Sequence, residues 1–257
     1  MRLVPSLLLL HSCVRASALD LRLAELIASP GRPLMIAVAG GTASGKTSVV
    51  DRIVSSVRGG SAIASITQDC FYRPLAEWER EMADASRFNF DHPNAFDWEL
   101  TLKVLKELKS GSVTPSAIPQ YDFCTHTRQG AEHDTHVCQP QIVIFEGILA
   151  LHDPELRDLF DLKVFVDADA DLRLARRIRR DMRSRGRDLA GILLQYEHFV
   201  KPSFDSFILP SKHHADIVVP RCVRVETTQS PSTHPSIPAP PRARRTSQTV
   251  LSGSTIE

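Results

Sequence analysis

None of the five cysteines (Cys13, Cys70, Cys124, Cys138 and Cys222) belongs to a C-x-x-C pair, and their number is odd and their spacing scattered. That excludes a disulfide framework and points to reduced thiols in a cytosolic-type compartment. No apolar run reaches the roughly 20 residues that a bilayer-spanning helix needs, so no membrane partner is expected. Neither sign of charge is in excess. Lys and Arg number 31 against 30 Asp and Glu, a formal net charge of +1, so nothing global attracts a polyanion and any basic patch must be local. No internal repeat is visible. The 257 residues suffice for one α/β core with tails.

The two ends differ from the middle. No Asp or Glu precedes Asp20, and "MRLVPSLLLLHSCVRASA" sets Arg2 before a short apolar run and small residues. Three readings stay open for residues 1–32: an ordinary extension with a short amphipathic helix, an organelle-import segment, or a secretory signal. Beyond Arg221 the chain is rich in Pro, Ser and Thr, as in "TTQSPSTHPSIPAPPRARRTSQT". Such a stretch cannot bury enough surface to offset chain entropy, so residues 222–257 are expected to be a disordered tail.

Between them, strand and helix signals alternate. "LMIAVAG" is a continuous apolar run ending in glycine, as a buried parallel strand requires. "AGGTASGKT" follows, with the spacing G-x-x-x-x-G-K-[ST] formed by Gly40, Gly45, Lys46 and Thr47. Then "KTSVVDRIVSSV" places Val49, Val50, Ile53, Val54 and Val57 on one helical face. Strand, glycine loop and helix together make a phosphate-binding loop, Gly40 to Thr47 through Gly41, Thr42, Ala43 and Ser44. Lys46 should reach the β- and γ-phosphates, and the Thr47 hydroxyl should ligate Mg²⁺. Four further apolar runs, "SAIASIT", "QIVIFEG", "LKVFVDA" and "ADIVVP", are separated mostly by helical patterns such as "ELTLKVLKELKSG" and "AGILLQYEHFV". The expected fold is α/β: a doubly wound, mostly parallel sheet whose ligands bind at the carboxyl ends of the strands.

Three features lie at that edge. Asp69, after the second run, suits a base that orients an acceptor hydroxyl, or equally a turn cap. Glu146, ending an apolar strand, suits the metal side, or else a solvated loop. In "DLRLARRIRRDMRSRGRDL", Arg173, Arg176, Arg177 and Arg180 share one helical face, while Leu174, Ala175, Ile178 and Met182 share another. Arg185 and Arg187 flank Gly186. Guanidinium groups beside a glycine hinge suit a helical lid over transferring phosphates. A solvated basic face or a nucleic-acid patch are the rivals, but without interleaved aromatics no nucleic acid is expected. These residues define a kinase or ATPase and leave the acceptor open.

The segments "GGTASGKT", "TQDCFYR", "FNFDHPNAFD", "YDFCTHTR", "FEGILAL" and "RGRDLAGILLQYEHFVKPSF" resemble, in order and over roughly Pro33 to Arg221, the uridine–cytidine kinase (uridine kinase) family. The resemblance implies a phosphate-loop kinase domain over 33–221 with a small β-hairpin nucleoside-binding insertion. It implies transfer of the ATP γ-phosphate to the 5′-hydroxyl of uridine or cytidine in pyrimidine salvage, with Mg²⁺ and commonly a homotetramer; the cysteines favour a cytoplasmic location, with organelle import left open by the N-terminus. Asp69 matches the catalytic aspartate. Phe90 and Asp91 match nucleoside-binding positions, Tyr121 and His126 those that meet the base, and Arg177 and Gln195 further substrate contacts. Arg180, Arg185 and Arg187 match the lid and phosphate arginines, and Thr47 and Glu146 the magnesium side. The pattern departs after "ADIVVPR": Arg224 stands where the family has an aspartate near the nucleotide base, and no last amphipathic helix follows. A phosphoribulokinase-like sugar kinase and a non-catalytic nucleotide-binding variant are the alternatives.

Overall fold

The computed structural model describes residues 32–57, 62–123 and 125–220. Most of the N-terminal extension, Cys124, and the altered ending with Arg221, Cys222 and Arg224 lie outside the described residues.

The central sheet has five strands, all parallel: β1 (Leu34–Ala39), β2 (Ile63–Thr67), β7 (Ile142–Gly147), β8 (Leu162–Asp167) and β9 (Ile217–Pro220), in the order β2-β7-β1-β8-β9. All five expected runs are therefore strands of one sheet. All six residues of β1 are buried, which explains its unbroken apolar sequence. Successive side chains face opposite sides. Met35, Ala37 and Ala39 join one core with Phe145 and Phe165. Leu34, Ile36 and Val38 join another with Val49, Val50 and Ile53 of helix α1 (Lys46–Ser56). Helix α2 (Glu77–Asp84) follows β2. Helix α3 (Trp98–Lys109) adds Val104, Leu105 and Leu108 to the first core. One detail departs from the sequence pattern: Val54 is 37% exposed, because α1 meets the sheet along a narrower stripe than its valines span.

Two small antiparallel pairs are inserted between α3 and β7: β3 (Ser116–Ile118) with β6 (Thr135–Val137), and the hairpin β4 (Tyr121–Asp122) with β5 (Thr127–Arg128). Arg128 anchors the hairpin by donating to the Tyr72 carbonyl at 2.9 Å and to Asp97 Oδ2 at 3.1 Å. After the short helix α4 (Pro154–Arg157) come α5 (Ala170–Ser184) and α6 (Leu189–Gln195). From α6 the chain stays helical to His214, with wider π-type turns at Tyr196–Val200 and Phe204–Ile208. Each wide turn ends two residues before a proline, Pro202 or Pro210. A proline lacks the N–H and crowds the carbonyl four residues back, and the wider register relieves both.

Strand β1 has β7 and β8 on either side, so the chain leaves its neighbourhood in both directions. Such a switch point opens a crevice at the carboxyl ends of the strands.

Candidate active site

A cavity of about 270 Å³ occupies that crevice. One wall is the phosphate loop. Gly40 has φ +147, and a Cβ there would sit 2.5 Å from the Val166 carbonyl oxygen, so only glycine lets the loop pass β8. Gly45 (φ +104) begins α1, whose first turn contains no acidic residue. The positive end of α1 is thus left for an anion. Lys46 Nζ donates to the Gly40 and Gly41 carbonyls at 3.0 and 3.1 Å. Burial lowers its pKa, opposed by Glu146 and Asp69. Thr47 Oγ1 donates to the Glu146 carboxylate at 3.0 Å. Burial raises the Glu146 pKa against the pull of Lys46.

The opposite wall is aromatic. Phe90 and His126 stack with ring centres 5.0 Å apart, and Tyr72 lies 5.0 Å from Tyr121 and 5.4 Å from Phe90. His126, at the hairpin turn, adopts a left-handed backbone (φ +52), and burial lowers its pKa. Ala43 in the phosphate loop is also left-handed (φ +55). Strained backbone of this kind concentrates where side chains or N–H groups are aimed at ligands. Asp91 is buried. Asn89 Oδ1 accepts its N–H at 3.0 Å and Asn89 Nδ2 donates to Ser203 Oγ at 3.1 Å, which fixes the Asp91 loop. The Asp91 pKa is raised by burial, although Arg177 pulls it down. Asp91 Oδ2 and the Tyr121 hydroxyl are buried with no hydrogen-bond partner among the described residues. Buried polar atoms are rarely left so, and here both belong to residues lining the cavity.

Asp69 also lines the cavity, and its charge is felt both at Lys46 and Glu146 and at Tyr121 and Asp91. It does not cap its turn. Thr67 Oγ1 does that, accepting the Asp69 N–H at 3.4 Å, and the Asp69 carboxylate makes no hydrogen bond or ion pair among the described residues.

The arginines come from α5 and the turn after it. Arg177 donates to Thr42 Oγ1 and to Gln195 Oε1, each at 3.2 Å. Arg187 donates to Gln195 at 2.9 Å, and Arg185 lies 4.6 Å above the Phe123 ring. Arg180, Arg185, Arg187, Arg177 and Gln195 all line the cavity. The face shared in the sequence by Arg173, Arg176, Arg177 and Arg180 is thus divided. Arg176 reaches the Ser44 carbonyl at 3.3 Å. Arg173 is buried, its guanidinium 3.8 Å from the centre of the Phe204 ring, and a Cβ on Gly41 would meet it at 2.6 Å. It supports the phosphate loop from outside the cavity. The helix turns its polar face inward and leaves Met182 49% exposed.

Thr42, Ala43, Lys46, Thr47, Asp69, Phe90, Asp91, Tyr121, His126 and Glu146 complete the expected set around this single cavity. Gly40, Gly41, Ser44 and Gly45 shape the loop without lining it. Sequence reasoning missed Tyr72, Phe88, Phe123 and Phe199, which also line it. All four stand inside the matched segments, as aromatic neighbours of Asp69, Asp91, Tyr121 and Gln195. It also missed Asp181, a buried carboxylate among the arginines.

A phosphate loop fed by the first strand of a parallel sheet, facing an aromatic recess across one cleft, is the arrangement of the phosphate-loop kinase fold. Residues 35–228 match the phosphoribulokinase / uridine kinase family, and the chain belongs to that family. It is 50% identical over 195 residues to a chloroplastic uridine/cytidine kinase of Arabidopsis thaliana, a match covering 76% of this chain but 39% of that protein. It is 48% identical to uridine-cytidine kinase B of Dictyostelium discoideum, covering 74% of this chain and 75% of that one. To uridine-cytidine kinase 2-B of Danio rerio it is 44% identical, covering 74% of each. Among solved structures, the phosphoribulokinase of Rhodobacter spheroides shares the fold, with a TM-score of 0.53 at 22% identity over 75% of this chain and 71% of that one. No helix among the described residues is long and apolar enough to cross a membrane.

Proposed function

We propose that residues 33–221 transfer the γ-phosphate of ATP to the 5′-hydroxyl of uridine or cytidine, giving UMP or CMP and ADP. The observation that carries this reading is the acceptor end of the cavity, where Asp91 Oδ2 and the Tyr121 hydroxyl, buried without a hydrogen-bond partner among the described residues, stand beside the Phe90–His126 stack. A ribose supplies hydroxyl donors for the carboxylate. A pyrimidine supplies a π-face for the rings and a polar edge for Tyr121 and His126. The relatives named for uridine and cytidine support the same acceptors. A sugar phosphate would need cations where Asp91 and the aromatic rings stand.

The chemistry follows from the residues. Asp69 orients the 5′-hydroxyl and accepts its proton as the oxygen bonds to the γ-phosphorus and the bond to the ADP oxygen breaks. Lys46 and the α1 N-terminus hold the β- and γ-phosphates. Arg180, Arg185 and Arg187 neutralise charge on the transferring group, and Arg177 with Gln195 orients the nucleoside.

Among the described residues no cluster of three or more His, Cys, Asp or Glu side chains could hold a metal alone. Thr47 and Glu146 do fit Mg²⁺, which takes few protein oxygens and completes its shell with phosphate and water. Bound there, Mg²⁺ would supply positive charge to offset that of the phosphates.

The test is ADP formation by the full chain with uridine, cytidine, ribulose 5-phosphate or no acceptor. Turnover with the nucleosides alone is expected. Turnover with ribulose 5-phosphate, or equal turnover without acceptor, overturns the reading.

A further inference from the structure

Asp181 is fully buried on the inner face of α5, and four arginines surround it. Its Oδ1 accepts a hydrogen bond from Arg180 Nε at 2.7 Å and lies 3.7 Å from Arg185 Nη1. Its Oδ2 lies 3.6 Å from Arg177 Nε and 3.9 Å from Arg187 Nη1. Its main-chain carbonyl accepts the N–H groups of Arg185 and Arg187 at 3.1 and 3.2 Å, which wraps the turn at Gly186 (φ +61) back onto the helix. One residue therefore holds, through side chain and backbone, the arginines that face the cavity. Through them it joins the phosphate loop at Thr42, the hairpin at Phe123 and α6 at Gln195.

One carboxylate cannot neutralise four guanidinium groups. Burial lowers the pKa values of Arg185 and Arg187, and their arginine neighbours lower them further against the pull of Asp181. Only Arg180 is tied to Asp181 by a short bond; the other three are held at longer range by charge and can turn to a phosphate without breaking a hydrogen bond to Asp181. A lone countercharge at this point fixes where the guanidinium groups converge and leaves an excess of positive charge for the phosphate.

We propose that Asp181 is a positioning residue for phosphate transfer, arranging Arg177, Arg180, Arg185 and Arg187 so that they converge on the transferring group. The inference rests on the phosphate-transfer reading above. It is not a requirement for ATP to bind, because removing the carboxylate makes the cluster more positive while scattering its side chains.

The experiment compares the full chain with Asp181→Asn and Asp181→Glu in three measurements: kcat and KM with uridine and ATP, affinity for inorganic tripolyphosphate, and thermal melt. For Asp181→Asn, kcat is expected to fall at least tenfold, with KM for ATP and tripolyphosphate affinity unchanged or tighter and the melt within a few degrees. Asp181→Glu restores the charge one methylene away and should recover part of kcat. An Asp181→Asn kcat within twofold of the unaltered chain overturns the inference. So does a kcat loss matched by weaker tripolyphosphate binding, or the loss of a cooperative melt, since Asp181 would then serve the fold. Should the unaltered chain phosphorylate neither nucleoside, the functional reading falls and takes this inference with it; an active unaltered chain whose Asp181→Asn variant keeps its kcat overturns this inference alone.

Discussion

Replacing Asp69 with asparagine removes a proton acceptor and changes almost nothing else. The carboxylate has no hydrogen bond or ion pair to lose among the described residues, and the turn it begins is capped by Thr67. The amide keeps the shape. A charge near Asp91 and Glu146 disappears, which relieves repulsion, while Lys46 loses one of its two largest sources of attraction. Stability should therefore move by less than about 1 kcal/mol, as for substitutions that break no buried contact. General-base catalysis contributes about 10²–10⁴-fold, or roughly 3–5 kcal/mol at about 1.36 kcal/mol per decade. Uridine turnover, read by ADP release, should fall by that factor, while the affinity for ATP stays within a few fold and the melt within a few degrees. Near-normal turnover would refute the assignment of Asp69 as base. A loss of turnover accompanied by an equal loss of ATP affinity would refute the claim that Asp69 is structurally idle.

His126→Ala should weaken nucleoside binding by about 1–3 kcal/mol, the cost of a hydrogen bond lost at a desolvated base, with ATP affinity unaffected; separate titrations of the two ligands check this. Because burial lowers the His126 pKa, the ring is neutral from its ordinary value upward, and the uridine KM should stay flat between about pH 6.5 and 8 and rise only at more acid pH. Glu79 accepts hydrogen bonds from Arg73 Nη1 and Nη2, at 2.8 and 2.6 Å, and these bonds hold its pKa down to about 2. Its stabilisation is complete above the unfolded carboxylate value of roughly 4.3 and is lost as pH falls from there toward about 2. Glu79→Gln should cost about 1–3 kcal/mol by melt at pH 7 and much less at pH 2.5. In Gly147→Ala the new Cβ would overlap the Gln68 side chain, whose Oε1 accepts the Leu149 N–H at 2.9 Å. A destabilisation of about 1–3 kcal/mol is expected by chemical denaturation.

The sequence by itself determined the five strands of the sheet, the phosphate loop and the edge where ligands gather. Continuous apolar runs such as Leu34–Ala39 and the glycines at 40 and 45 report local backbone requirements, and these do not depend on distant partners. It also set apart, through the matched segments, the residues that now meet in one cavity, although they come from six separate stretches of chain. Tertiary structure alone decided which polar side chains are buried and what they face. Arg173, Arg177 and Asp181 lie on a helix whose periodicity marks one basic and one apolar face, yet the polar face points inward and Met182 points out. Periodicity gives the existence of two faces and not which of them the rest of the chain covers. Asp69 read equally well as a cap or a base until Thr67 was seen to take the cap. Asp181 could not be distinguished from the other acids of a charged helix, because its surroundings are four arginines that only the turn at Gly186 and the fold of α5 onto the phosphate loop bring around one carboxylate.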